Sequence, residues 1–346
     1  MDFIIDFIKI VFILGFLIFI HEGGHFIAAR LCKVKVEEFA IGFGPKLWEK
    51  KGKETKYILA AIPFGGFLKM YGEEGKDSGE GAFNSKTVLQ RFFIVAAGAT
   101  VNVIFGLLLY FILSFSTGYN MSTNVSVILP EADVSLSSNV EVGDKIIQVG
   151  ERKIRIKNDL SKALEDCNGE YIDVVVDRDG EIKTFSIKPV QYMDENYILG
   201  VQVAMAEDGT LQERLYYSFW ETIAFIGDMF YNIKQLFTGK LGIDKLAGPI
   251  GISNVIAESN SWYDFTYLLA FISVSLGLTN FLPIPALDGG KMVLLAVEGI
   301  RRKPIDEKVE ESIQSIGFLL LIGLAIFVSI NDLISSAAPL PTTMFS

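Results

Sequence analysis

Residues 10–32 read IVFILGFLIFIHEGGHFIAARLC. Eleven uncharged residues run straight into His-Glu-Gly-Gly-His with no turn signal between them, which predicts one helix carrying three ionisable side chains at membrane depth. A charged residue at the centre of a span costs on the order of 2.5–3.5 kcal/mol on insertion scales, so a functional reason for the cluster is expected. Four residues apart on a helix, His21 and His25 share a face and can turn ring nitrogens to one metal ion. Glu22 lies beside that ion as a base for an activated water. These are the only two histidines in the chain. The plain alternative, a pair of satisfied core histidines, leaves their placement inside an apolar run unexplained.

A catalytic zinc usually takes three protein ligands and keeps the fourth position open. With no third histidine, the remaining ligand has to be a thiolate or a carboxylate. Cys32 lies about 10 Å beyond His25 along the helix and Asp6 about 22 Å before His21, both too far. Glu298 and Asp332 are expected at the membrane interface. Asp288 remains, closing the stretch NFLPIPALDGGK at 280–291. Pro283 and Pro285 forbid a continuous helix there, and Gly289 and Gly290 are expected to let the backbone turn tightly. An unwound stretch ending in a carboxylate can bring it against another helix.

Working outward, half of the 346 residues are apolar and only 21% are charged, with a mean hydropathy of +0.38. That excludes intrinsic disorder. A net charge of −10 argues against a nucleic-acid partner. Cys32 and Cys167 are too few for a disulfide scaffold. Stretches 92–119, 265–287 and 312–331 hold no charged residue and are each about long enough to span. With the N-terminal run they make four expected transmembrane helices. A cleaved signal peptide is disfavoured at the N-terminus, because MDFIID is acidic and the apolar run leads into HEGGH. Twelve Lys and Arg lie at 30–91 and five at 291–308. By the positive-inside rule both loops face the cytoplasm, and the two chain ends and the loop 120–264 face out.

Segments 34–48 and 57–70 are rich in β-formers, with turns at Gly42, Gly44 and 63–66. They predict a sheet of hairpins apolar enough to dip into the bilayer. In the outer loop, 125–129, 145–149, 153–155, 171–178 and 182–188 read as strands and 158–166 as a short helix, with a hairpin turn at 178–180. Residues 212–237 place Leu215, Phe219, Ile226, Ile233 and Phe237 on one stripe, as in an amphipathic helix lying at an interface. The expected organisation is a first membrane half at 1–119, an α+β domain at 120–205, an amphipathic helix and linker at 206–260, and a second membrane half at 261–346.

HEGGH together with NFLPIPALDGG resembles the two signatures of the site-2 proteases, intramembrane zinc metalloproteases. GFGPKLW at 42–48, IPFGGFLKM at 62–70, RFFIVAAGATVN at 91–102 and LAGPIGI at 246–252 are similar to their regulator-of-sigma-E branch, which resides in the bacterial cell membrane. Ala99 stands where that branch usually has proline. The resemblance implies Zn2+ held by His21, His25 and Asp288, with Glu22 catalytic and Asn280 near the substrate backbone. The substrate would be a transmembrane helix of another protein, unwound for cleavage. The hairpin at 57–70 would receive it by strand addition, with Phe64, Gly65, Gly66 and Leu68 at the contact. NVEVGDKIIQVGERKI at 139–154 is similar to a PDZ domain, which would touch peptide or admit only trimmed substrates. Residues 131–138 depart from the usual approach to the PDZ groove. A membrane metal-ion transporter and a membrane-tethered PDZ scaffold are the competing readings. A transporter would not need Glu22, and a scaffold would not need buried ionisable groups.

Overall fold

The computed structural model describes residues 2–73, 79–117, 121–164, 167–192, 196–205, 210–239, 248–259 and 261–335. Two compact units divide the chain, one of residues 1–109 with 231–346 and one of 110–230. The first begins with α1 (Asp2–Leu31), which runs unbroken through HEGGH despite the two glycines there. The chain reverses at Lys33, whose amide bonds back to the Arg30 carbonyl at 3.0 Å. Antiparallel β1 (Val36–Lys51) and β2 (Lys56–Met70) follow.

Each of these long strands folds on itself. Residues 38–41 pair with 56–59 on one side and with 66–69 on the other, and 46–51 pair with 56–60. The result is four segments in the order 66–70, 36–41, 56–60, 46–51. β1 bends where Gly42 and Gly44 both hold φ +84°, a backbone region that costs glycine nothing. The turns are where the sequence puts them, but pairing continues to Lys51 because the charged residues 49–51 sit on an exposed edge. α2 (Val88–Thr117) comes next. The expected loop at 73–81 and the end of the expected span 92–119 fall largely outside the described residues.

The second unit is built on a sheet ordered β10-β3-β4-β6-β7, with β5 beside β4. Its strands are β3 (Met121–Ile128), β4 (Lys145–Val149), β5 (Arg152–Lys153), β6 (Ile172–Arg178), β7 (Glu181–Ile187) and β10 (Val201–Met205). β8 (Val190–Tyr192) and β9 (Asn196–Ile198) form a separate hairpin. Short helices α3 (Val134–Ser137) and α4 (Lys157–Leu164) complete it. Val125, Leu136, Ile146, Val149, Val174, Val176 and Ile187 fill the core. Arg178 Nε and Nη2 donate to the Asp144 carboxylate at 2.6 and 2.7 Å. That guanidinium holds Asp144 below the usual carboxylate range. α5 (Leu211–Phe237) buries Tyr217, Ser218, Phe225 and Met229. Leu215, Phe219 and Phe237 of the expected stripe lie on its exposed side. The helix has two apolar faces, and the protein takes the one on which Phe225 stacks against Tyr110.

Back in the first unit lie α6 (Pro249–Glu258), α7 (Trp262–Asn280), α8 (Asp288–Arg301) and α9 (Glu307–Ser335). α6, which the sequence reading passed over, is held at both ends by charges that oppose its dipole. Asp332 on α9 accepts from the amides of Gly248 and Gly251 at 3.2 and 2.9 Å. Lys9 on α1 donates to the carbonyls of Ala257 and Ser259 at 3.2 and 2.9 Å. Asp332, expected at an interface, is thus a buried helix cap. Glu298, expected there too, is largely buried in a bidentate pair with Arg91.

Among the described residues, three helices are long and apolar enough to cross a membrane: Ile4–Leu31, Val88–Thr117 and Glu307–Ile334. The uncharged stretch 265–287 is not one helix. α7 stops at Asn280, because Pro283 and Pro285 lack the amides to carry it on.

Candidate metal centre

α1 sets the first two groups of the site. One turn apart, the Nε2 atoms of His21 and His25 lie 3.2 Å from each other. The third comes from the first residue of α8. Asp288 Oδ2 is 3.2 Å from His21 Nε2 and 3.3 Å from His25 Nε2. That oxygen is buried and has no hydrogen-bond partner. Three electron-pair donors thus converge in a nearly equilateral triangle with nothing donating to the carboxylate oxygen. A tetrahedral zinc with bonds of about 2.0–2.1 Å needs ligand atoms about 3.3–3.4 Å apart. The residues present fit the ion, and they are the group of histidine and carboxylate atoms, among the described residues, able to hold a metal.

Four local features bring the carboxylate there. After α7 the chain folds through 281–287, and Ala286 sits at φ +72°, a left-handed conformation that costs a non-glycine residue about 1–3 kcal/mol. Its amide is held at 2.5 Å by Gln314 Oε1 of α9. Gly289 and Gly290 do not form a turn, contrary to the sequence reading. They lie in the first turn of α8, where a Cβ would strike the carbonyls of Leu282 and Ile284 in the folded-back loop. Their role is close packing, not unusual torsions. Lys291 pairs with Glu73 at 2.5 Å, one turn into α8.

Glu22 follows His21 on α1 and touches the sheet. A Cβ on Gly66 would lie 3.1 Å from Glu22 Cγ and 2.8 Å from the Ala40 carbonyl, so β2 passes α1 at a distance only glycine permits. Gly65 holds φ +102° with the Phe43 ring against it. Leu68 is half-buried and packs against the apolar cluster that includes Ala28, Val36 and Met70. Phe64 lies in β2, but its side chain is outside the described part. Asn280 is the last residue of α7, half-buried, separated from Asp288 by the unwound loop.

α2 supplies groups the sequence reading did not single out. His25 Nδ1 is 2.9 Å from the Ile94 carbonyl, and His21 Nδ1 is 3.4 Å from the Asn102 amide nitrogen. Gly98 lies between them, and a Cβ there would enter the His25 ring. One signal was available. Asn102 is an amide inside an uncharged span, where polar groups usually have a purpose.

Apolar helices of membrane length carrying a His-Glu-x-x-His site define a membrane metallopeptidase as the class. The model of peptidase family M50 matches residues 9–324, and the chain belongs to that family. It is 36% identical over 326 residues to a protein of Clostridium acetobutylicum and 34% identical over 321 to one of Clostridium perfringens. Each alignment covers 92% of this chain and 95% of the relative, and both relatives are provisionally named zinc metalloproteases. It is also similar to zinc metalloprotease RasP of Geobacillus kaustophilus, at 25% identity over 413 residues, 94% of this chain and 97% of that one. None of these likenesses supports a metal-ion transporter.

Proposed function

We propose that the protein is an intramembrane zinc metalloendopeptidase that hydrolyses a peptide bond within the transmembrane segment of another membrane protein. One observation carries this reading: the convergence of His21 Nε2, His25 Nε2 and the unpartnered Asp288 Oδ2 within 3.2–3.3 Å of one another. Those three residues would hold the ion. Bound zinc supplies Lewis acidity, polarising the scissile carbonyl and activating water. Glu22 accepts the proton of the attacking water and delivers it to the leaving nitrogen, which lets one carboxylate serve both steps.

A helical peptide bond is shielded by its own hydrogen bonds, so the substrate has to be extended before it is cut. Segment 66–70 is an edge of the four-segment sheet and passes Glu22 at Gly66. An open cleft runs along Phe67–Glu73. These features support strand addition there, with the backbone at Phe64, Gly65, Gly66 and Leu68 taking over hydrogen bonds lost from the helix. Asn280 supplies a polar partner from the other side. Exposed Phe43, Leu47, Trp48, Leu59 and Ile62 suit a sheet dipped into lipid.

In this reading α7 with its unwound loop is the fourth span, which delivers Asp288 to the depth of His21 and His25 on α1. The Lys and Arg of 30–91 and 291–308 put those loops in the cytoplasm and residues 121–205 and both chain ends outside. The outer sheet domain is PDZ-like and contacts substrate peptide, and no nucleic acid is involved. The test is Glu22→Gln, which removes the base and leaves the three ligands. Purified in parallel with wild type, it should retain zinc and lose cleavage of a co-expressed membrane substrate. Clear residual turnover would remove Glu22 from the mechanism.

A further inference from the structure

Asn102 is fully buried on α2. Its Nδ2 faces His21 Nδ1 at 3.4 Å, and its Oδ1 is buried with no donor. Its backbone carbonyl is fixed by Ser273 Oγ of α7 at 2.8 Å, so the residue cannot shift along the helix interface. The proposed zinc site dictates what this amide has to do. His21 turns Nε2 toward His25 and Asp288, and a nitrogen that binds a cation carries no proton. The proton of neutral His21 is then on Nδ1, which becomes a donor and needs an acceptor. An amide nitrogen facing it would set donor against donor.

We infer that Asn102 is a positioning residue for His21, turning its amide so that Oδ1 accepts from His21 Nδ1–H and locks the tautomer that leaves Nε2 free for zinc. The inference rests on the metal-site reading above. Rotation of the amide by half a turn exchanges two groups of nearly equal size. The contact it gives up is one that the Nδ1 proton abolishes in any case, and Oδ1 has no donor to lose. The partner histidine has the same arrangement, with His25 Nδ1 at 2.9 Å from the Ile94 carbonyl. Ile94 and Asn102 are eight residues apart, about two turns, and therefore on one face of α2. One helix face would thus fix the tautomer of both ring ligands, once through a backbone carbonyl and once through a side chain. The carbonyl cannot be removed by substitution, and the side chain can.

The experiment compares wild type, Asn102→Leu, Asn102→Asp and His21→Ala as full chains in detergent. Zinc affinity is measured by chelator competition, and the visible absorption of the cobalt-substituted protein reports ligand geometry. Loss of a partner to a metal-bound histidine typically costs 10–100-fold in affinity, and Asn102→Leu should show a loss of that size. Asn102→Asp, which keeps an acceptor, should stay within a few-fold of wild type and keep its cobalt spectrum. Thermal unfolding of the zinc-free forms separates a folding defect from a tautomer effect, and a Leu variant as stable as the Asp variant should still bind zinc more weakly. Equal affinity of Asn102→Leu and wild type, or equal loss in the Leu and Asp variants, would overturn the inference. Undiminished zinc binding by His21→Ala would instead overturn the metal-site reading.

Discussion

A methyl group placed at Gly98 would enter the ring of His25, and that ring has no freedom to retreat. It is buried, with Nδ1 bonded to Ile94 and Nε2 turned to the ligand triangle. Gly98→Ala should therefore lower zinc content and proteolysis together, by displacing a ligand and not by unfolding α2, since alanine favours helix over glycine. Gly323 on α9 has open space around it, so Gly323→Ala is the matched control and should leave both measurements unchanged. A Gly98→Ala protein with wild-type zinc content would show that the His25 ring is not held as described. His21, Glu22 and His25 were legible at this scale because three ionisable groups in an apolar run need a reason. Asp288 was legible by elimination. Gly98 and Gln314 were not, because a glycine or an uncharged amide near a helix end gains meaning only from the neighbour that folding brings to it, and Asn102 showed only as an amide inside an uncharged span, with nothing to say that its partner is His21.

At the scale of elements, the sheet at 36–70 is the least ordinary part. β2 bends at 62–66, and the segment after the bend is an edge that passes close to Glu22 at Gly66. Proline at Leu68 removes an amide from that segment, while methionine nearly conserves the volume that Leu68 contributes against the cluster that includes Ala28, Val36 and Met70. Cleavage should fall at least about tenfold in Leu68→Pro and stay near wild type in Leu68→Met, with zinc content unchanged in both. Equal cleavage by the two variants would take segment 66–70 out of substrate holding. Strand content and turn positions could be read here from β-branched and aromatic residues and from glycine. The double pairing of 38–41 could not, since nothing local states which of two partners a strand takes. α6 escaped for a related reason. Ten residues whose one charge, Glu258, is the last of them look like linker, and what makes them a helix, Asp332 at one end and Lys9 at the other, lies more than 80 and more than 240 residues away.

For the whole molecule, the chain joins two halves that are far apart in sequence to make one site. His21 and His25 come from the first helix, and Asp288 from the start of α8, beyond the entire second unit. Metal binding therefore reports on the assembly of both halves at once, which no local probe does. Family membership extends over residues 9–324 and so embraces both contributions. The most direct measurement is the zinc content of the purified full chain beside His21→Ala, Asp288→Ala and Glu22→Gln. About one zinc per chain is predicted for wild type and Glu22→Gln, and a large loss for His21→Ala and Asp288→Ala, as removal of one of three protein ligands requires. Full zinc retention in Asp288→Ala would contradict the account.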